Sequence, residues 1–160
     1  MLNVNIICVG KQKERYWRDA CNEYEKRLRA FCKFSIIEVD EEKTADNPND
    51  SQILHILDCE GKRILKKIDK SAKVIVLCIE GRIVSSQELS CIMDTTAIEG
   101  ISNISFVIGG SWGLSEEVKE RGSVKLSMSK MTFPHQLARV MVCEQIYRGF
   151  QILSGGKYHK

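Results

Sequence analysis

The sequence predicts a three-layer α/β domain with a mainly parallel sheet. Three observations carry that expectation. Runs of β-branched residues alternate with helical spacing along the whole chain. The strongest run, Lys73-Val74-Ile75-Val76-Leu77-Cys78-Ile79, is apolar nearly throughout, as expected of a strand covered on both faces. Two late runs stop abruptly at loops suited to a ligand. Residues 104–113 read Ile-Ser-Phe-Val-Ile-Gly-Gly-Ser-Trp-Gly, and residues 126–136 read Leu-Ser-Met-Ser-Lys-Met-Thr-Phe-Pro-His-Gln.

In chain order, residues 2–9 form a strand ending at Gly10. Tyr16, Trp17, Ala20, Tyr24, Leu28 and Phe31 recur every three to four residues, which predicts a helix over about 14–31. Residues 34–39 form a second strand, and 40–51 an acidic, polar loop with a cap at its end. The helix that follows carries Ile53, Ile56, Leu57, Ile64, Leu65 and Ile68 on one side, with Gly61 as its weak point. After the strand at 73–79, Glu80-Gly81-Arg82 reads as a turn. Ser85 and Glu88 then form a capping box. Strands at 104–108 and 124–128 flank a short helix opened by Ser115-Glu116-Glu117, with its acids at the positive end. Pro134 suits the first turn of a last helix over about 134–152.

At 160 residues the expectation is a single domain over 1–160, without repeat or linker. No apolar run approaches the ~20 residues of a membrane helix, and the N-terminus lacks signal-peptide features. The seven cysteines include no C-x-x-C pair and mostly sit in apolar patterns. They read as buried free thiols in a reducing cytosol, with no metal site. The net charge of +3 is uneven: from Lys130 onward five basic residues face only Glu144. That asymmetry, beside a ligand loop, suggests an anionic partner.

Gly109-Gly110-Ser111-Trp112-Gly113 is neither G-x-G-x-x-G nor a P-loop, so hydride transfer and nucleotide hydrolysis lose their main support. Glycines after a strand still let backbone groups approach a ligand closely. His135 is open to a structural or a substrate-contact role. The last helix has a wide apolar arc over 137–153, which suggests a second burial surface and a dimer. The terminal Tyr158-His159-Lys160 suits stacking on a base and touching phosphate.

Phe106-Val107-Ile108-Gly109-Gly110-Ser111, the run from Leu126 to Gln136, Glu144-Gln145-Ile146-Tyr147-Arg148 and Tyr158-His159-Lys160 together resemble the RlmH (YbeA) family. So does the opening, Ile6-Ile7-Cys8-Val9-Gly10-Lys11 with Tyr16-Trp17. These are SPOUT-class 23S rRNA pseudouridine-N3 methyltransferases. The likeness runs the whole chain, although Trp112 stands where the family's usual residue is not aromatic.

The resemblance implies a C-terminal deep trefoil knot, a homodimer and S-adenosyl-L-methionine as cofactor. Its implied substrate is N3 of a pseudouridine in the helix 69 loop, within the large subunit or whole ribosome. Cofactor contacts carry over to Leu77, Gly109, Met128, Ser129, Lys130, Met131, Thr132 and Phe133. His135, Tyr158 and His159 are the catalytic candidates, with Arg139, Arg148 and Lys160 available to RNA. Cys78 and Cys143 are expected at core positions. The rival class is a non-catalytic RNA-binding α/β module, which leaves the two ligand loops without purpose.

Overall fold

The computed structural model describes residues 1–158. Five strands and five helices alternate: β1 (Asn3–Val9), α1 (Arg15–Leu28), β2 (Lys33–Val39), α2 (Asp50–Leu65), β3 (Lys73–Ile83), α3 (Ser86–Ile98), β4 (Asn103–Ile108), α4 (Glu116–Arg121), β5 (Val124–Ser127) and α5 (His135–Leu153). All four strand pairings are parallel, in the order β2-β1-β4-β3-β5. The expected parallel α/β sheet is therefore present.

Strand period sorts the core into two faces. Val4, Ile6 and Cys8 of β1 join Ile104, Phe106 and Ile108 of β4 in a cluster under α1, α3 and α5. Ile7, Val9, Val74, Val76 and Val107 point the other way, against α2 and α4. Most of these side chains are under 2% exposed, and each contributes about 1.5–3 kcal/mol of burial.

Helix starts follow local chemistry. Asn49 with Gln52, and Ser85 with Glu88, form reciprocal capping boxes. Ser115 accepts from the N–H of Val118 to cap α4. Pro134 is the residue just before α5 rather than inside it. The first helix stops at Leu28, short of the expected 31, and Phe31 instead stacks on Phe150 of α5, with ring centroids 5.8 Å apart.

Three local expectations change. Gly61 is buried where α2 crosses the start of α4; a Cβ there would sit 2.5 Å from Ser115 Oγ. It is a close-contact point, not a weak one. The turn expected at Glu80-Gly81-Arg82 lies inside β3. Leu77 and Arg82 both pair with Leu126, so residues 78–81 bulge out of the ladder. A Cβ on Gly81 would stand 2.5 Å from the Leu126 carbonyl carbon, so β5 passes directly against the bulge. Finally, only Cys8, Cys21, Cys32 and Cys143 are buried; Cys59 and Cys78 are half-buried and Cys91 is exposed. Burial pushes the Cys8 and Cys32 thiols up to about 12, which makes them inert at neutral pH. Among the described residues, no helix is long and apolar enough to cross a membrane.

Candidate active site

Parallel strands deliver their C-terminal ends to one edge of the sheet, and ligands of open α/β folds bind there. Three such ends meet here around a cavity of about 740 Å³. The β3 bulge supplies one wall with Leu77, Cys78, Ile79 and Glu80. The loop after β4 supplies residues 109–113, and the end of β5 with the loop after it supplies Ser127, Met128, Ser129, Met131, Thr132 and Phe133. His135 and Ala138, in the first turn of α5, close the end.

Each wall has a local reason for its shape. Gly110 and Gly113 form an isolated antiparallel bridge, and Gly113 has a φ of +86°, a region that favours glycine. A Cβ on Gly109 would overlap the Gly113 carbonyl oxygen, so the loop folds back on a bare backbone. This revises the role expected of Gly109: a side chain there would first break the loop itself. In the β5 loop, Ser127 Oγ donates to the Ser129 carbonyl at 3.0 Å, and Ser129 Oγ accepts from the Met131 N–H at 3.0 Å. The mouth carries exposed apolar side chains, Ile79, Met131 and Trp112. Glu80 and Glu116 flank it, both paired to Lys119, at 2.6 and 3.4 Å. That pairing holds the Glu80 carboxyl below its usual range.

Of the cofactor candidates, Leu77, Gly109, Met128, Ser129, Met131, Thr132 and Phe133 line the cavity, whereas Lys130 is exposed and outside its wall. Cys78 lines it too, so it is not the core residue expected. Leu57, Glu80, Trp112, Glu116 and Lys119 also line it; none was singled out from the sequence as a contact. Trp112 stood in a loop read as suited to a ligand, and the acids after Ser115 were read as matching the positive end of a helix.

His135 is half-buried, and burial lowers its basicity, with the Arg139 charge adding to the effect and Glu41 opposing it. Its imidazole is therefore neutral at pH 7, in the state able to accept a proton.

The basic candidates fare differently. Arg139 is 1% exposed; it donates from Nη1 to Glu38 Oε1 at 2.6 Å and from Nη2 to the Gly10 carbonyl at 3.0 Å. It ties α5 to the ends of β1 and β2 and has no surface to offer a phosphate, which corrects its expected role. Arg148 pairs with Glu144 at 2.7 Å and lies 4.7 Å from the Tyr158 ring centroid. Tyr158 donates to Glu144 Oε2 at 3.1 Å and packs edge-on against Tyr147. Those partners lie six to ten residues beyond Ala138, about 9–15 Å along α5 at 1.5 Å per residue, so Tyr158 stands outside the lining of its own chain's cavity. His159 and Lys160 lie outside the described residues.

The protein class follows from a comparison of the chain with known families. Residues 2–159 match the family described as "Predicted SPOUT methyltransferase", and the chain belongs to that family. Individual relatives are similar over their full length. "Ribosomal RNA large subunit methyltransferase H" of Clostridium botulinum (strain Alaska E43 / Type E3) is 50% identical, covering 99% of this chain and 100% of the relative. The protein of the same name from Clostridium kluyveri (strain ATCC 8527) is 49% identical over the same extents. "Ribosomal RNA large subunit methyltransferase H 1" of Clostridium perfringens (strain SM101 / Type A) is 48% identical, again over 99% and 100%.

Proposed function

We propose that this chain is an S-adenosyl-L-methionine-dependent methyltransferase acting on N3 of a pseudouridine in the helix 69 loop of 23S rRNA. In this reading it works in the cytoplasm as a knotted homodimer, on the large subunit or assembled ribosome. The observation that carries the reading is the convergence of Leu77, Gly109 and five residues of the 128–133 run on one cavity. These were the positions expected to hold the cofactor.

The residues fit that cofactor. The cavity lies within the ~300–1,000 Å³ of ordinary small-molecule sites. Gly109 lets the loop fold back on the Gly113 carbonyl, and Gly113 leaves open space where a side chain would stand, so the folded-back loop forms one wall. Leu77, Ile108, Met128 and Phe133 supply apolar wall, and Glu80 and Glu116 at the rim favour a cation. When bound, S-adenosyl-L-methionine supplies a methyl group on a positively charged sulfur. Transfer would break the methyl–sulfur bond as N3–C forms and leave a neutral thioether, and the neutral His135 imidazole would take up the N3 proton on a ring nitrogen. The walls exclude water and align the reactants, which is the larger share of the work.

In the homodimer, the tail is assigned to the partner's cavity, since Tyr158 stands outside the lining of its own. The partly buried α5 residues Leu137, Val140 and Met141 offer an apolar surface for that association.

The test is a methyl-transfer assay with labelled cofactor, on ribosomes and on free 23S rRNA. The reading expects label at a single pseudouridine of ribosomes. No incorporation on either substrate would favour the non-catalytic RNA-binding module.

A further inference from the structure

Glu60 is the acidic residue that the site description leaves unused. It belongs to α2, is 3% exposed, and forms no ion pair among the described residues: Arg63, one turn on, is paired with Glu42 and bonded to the Asp40 carbonyl. Its two oxygens are in different situations. Oε2 accepts from the backbone N–H of Glu42 at 3.1 Å, which anchors the loop after β2. Oε1 is buried with no hydrogen-bond partner. It faces the glycine-rich loop, for a Cβ on Gly110 would stand 3.5 Å from it. A buried carboxyl oxygen left unpaired beneath a ligand loop is costly unless the loop supplies a partner when it tightens.

We propose that Glu60 is a positioning residue of the cofactor site, its buried carboxyl fixing the backbone at Glu42 and the backbone of the 109–113 loop together, and so setting the pocket's shape. The proposal rests on the reading of this cavity as the methyl-donor site. Burial and the neighbouring Glu41 and Glu42 favour the protonated carboxyl, opposed by the Glu42 N–H and by Arg63. A protonated carboxyl accepts at one oxygen and donates at the other. In that form Glu60 holds the Glu42 N–H with Oε2 and has a proton on Oε1 to offer the glycine loop it faces. Packing alone would require only the volume; this arrangement requires an acceptor and a donor in fixed places. Glutamine reproduces both, leucine neither.

The experiment measures S-adenosylhomocysteine affinity by calorimetry, and hydrogen exchange of the Glu42 amide in the ligand-free protein, for wild type, Glu60→Gln and Glu60→Leu. Glu60→Gln should bind within about threefold of wild type and protect the Glu42 amide. Glu60→Leu should bind roughly ten- to hundredfold more weakly, the loss expected for one unsatisfied buried group, and its Glu42 amide should exchange faster. If Glu60→Leu does not fold, Glu60→Asp, which withdraws the carboxyl by one methylene, takes its place with the same expectation. Wild-type affinity in Glu60→Leu, or in Glu60→Asp where that variant replaces it, overturns the proposal. Failure of the wild type itself to bind S-adenosylhomocysteine overturns the underlying reading of the cavity, while the exchange measurement still decides whether Glu60 holds Glu42.

Discussion

Arg139 and His135 sit four residues apart on one helix, yet burial assigns them opposite work. Arg139 is a structural cation: its guanidinium joins Glu38 and the Gly10 carbonyl across 101 and 129 residues of sequence. Removing one partner of a buried pair leaves the other charge uncompensated. Glu38 is a third exposed, so Arg139→Ala should lower unfolding free energy by about 3 kcal/mol, at the lower end for such pairs. Urea denaturation measures this, and unchanged stability would return Arg139 to the surface role its charge suggested. His135 gives a pH prediction. Its folded value is depressed below 6.5, so the imidazole stays neutral down to that value and beyond. If it accepts the N3 proton, single-turnover methylation should hold constant down to about pH 6.5 and fall only below it, whereas His135→Gln should be slow at every pH. A wild-type profile that falls already between pH 8 and 7 would rule this out. Charge alone made Arg139 look like an RNA contact, because no local pattern reveals a partner a hundred residues away. The glycine loop and the 128–133 run were legible as a place, because glycines and small polar groups after a strand announce a loop locally; that Gly109 makes room for the Gly113 carbonyl was not.

At the scale of elements, the helix caps were readable since they need only residues three apart. The β3 bulge was not. Its cause is β5, laid against Gly81, and a strand's register is set by its neighbour rather than by its own residues. The same logic applies to α2. Gly61 looked like a helix defect, and by propensity alone Gly61→Ala should stabilise by up to about 1 kcal/mol. The α2–α4 crossing reverses the sign. The new Cβ displaces Ser115 Oγ, and with it the hydrogen bond that caps α4, worth about 1 kcal/mol, besides the overpacking. We expect net destabilisation of about 1–2 kcal/mol in thermal or urea unfolding. A more stable Gly61→Ala protein would mean that α4 readily shifts away.

For the whole molecule, the alternation of strands and helices was legible from hydrophobic period alone. A knot would not be, because threading is a property of the path in space and leaves no local pattern; the expected knot rests on family resemblance alone. Association is likewise a property of surfaces. The apolar residues left partly exposed along α5 lead us to expect a dimer, so sedimentation should give about twice the 18.2 kDa chain mass at micromolar concentration. A fully active monomer would contradict that. The central claim is that three strand ends form one methyl-donor pocket, one wall of which is the glycine loop folded back on itself. Calorimetry with S-adenosylhomocysteine on wild type and Gly109→Val tests it most directly, with circular dichroism confirming the fold. The account predicts one molecule bound per wild-type chain, and no measurable binding to a folded Gly109→Val protein, whose new side chain collides with the Gly113 carbonyl. Absence of wild-type binding, or undiminished binding by Gly109→Val, would contradict it.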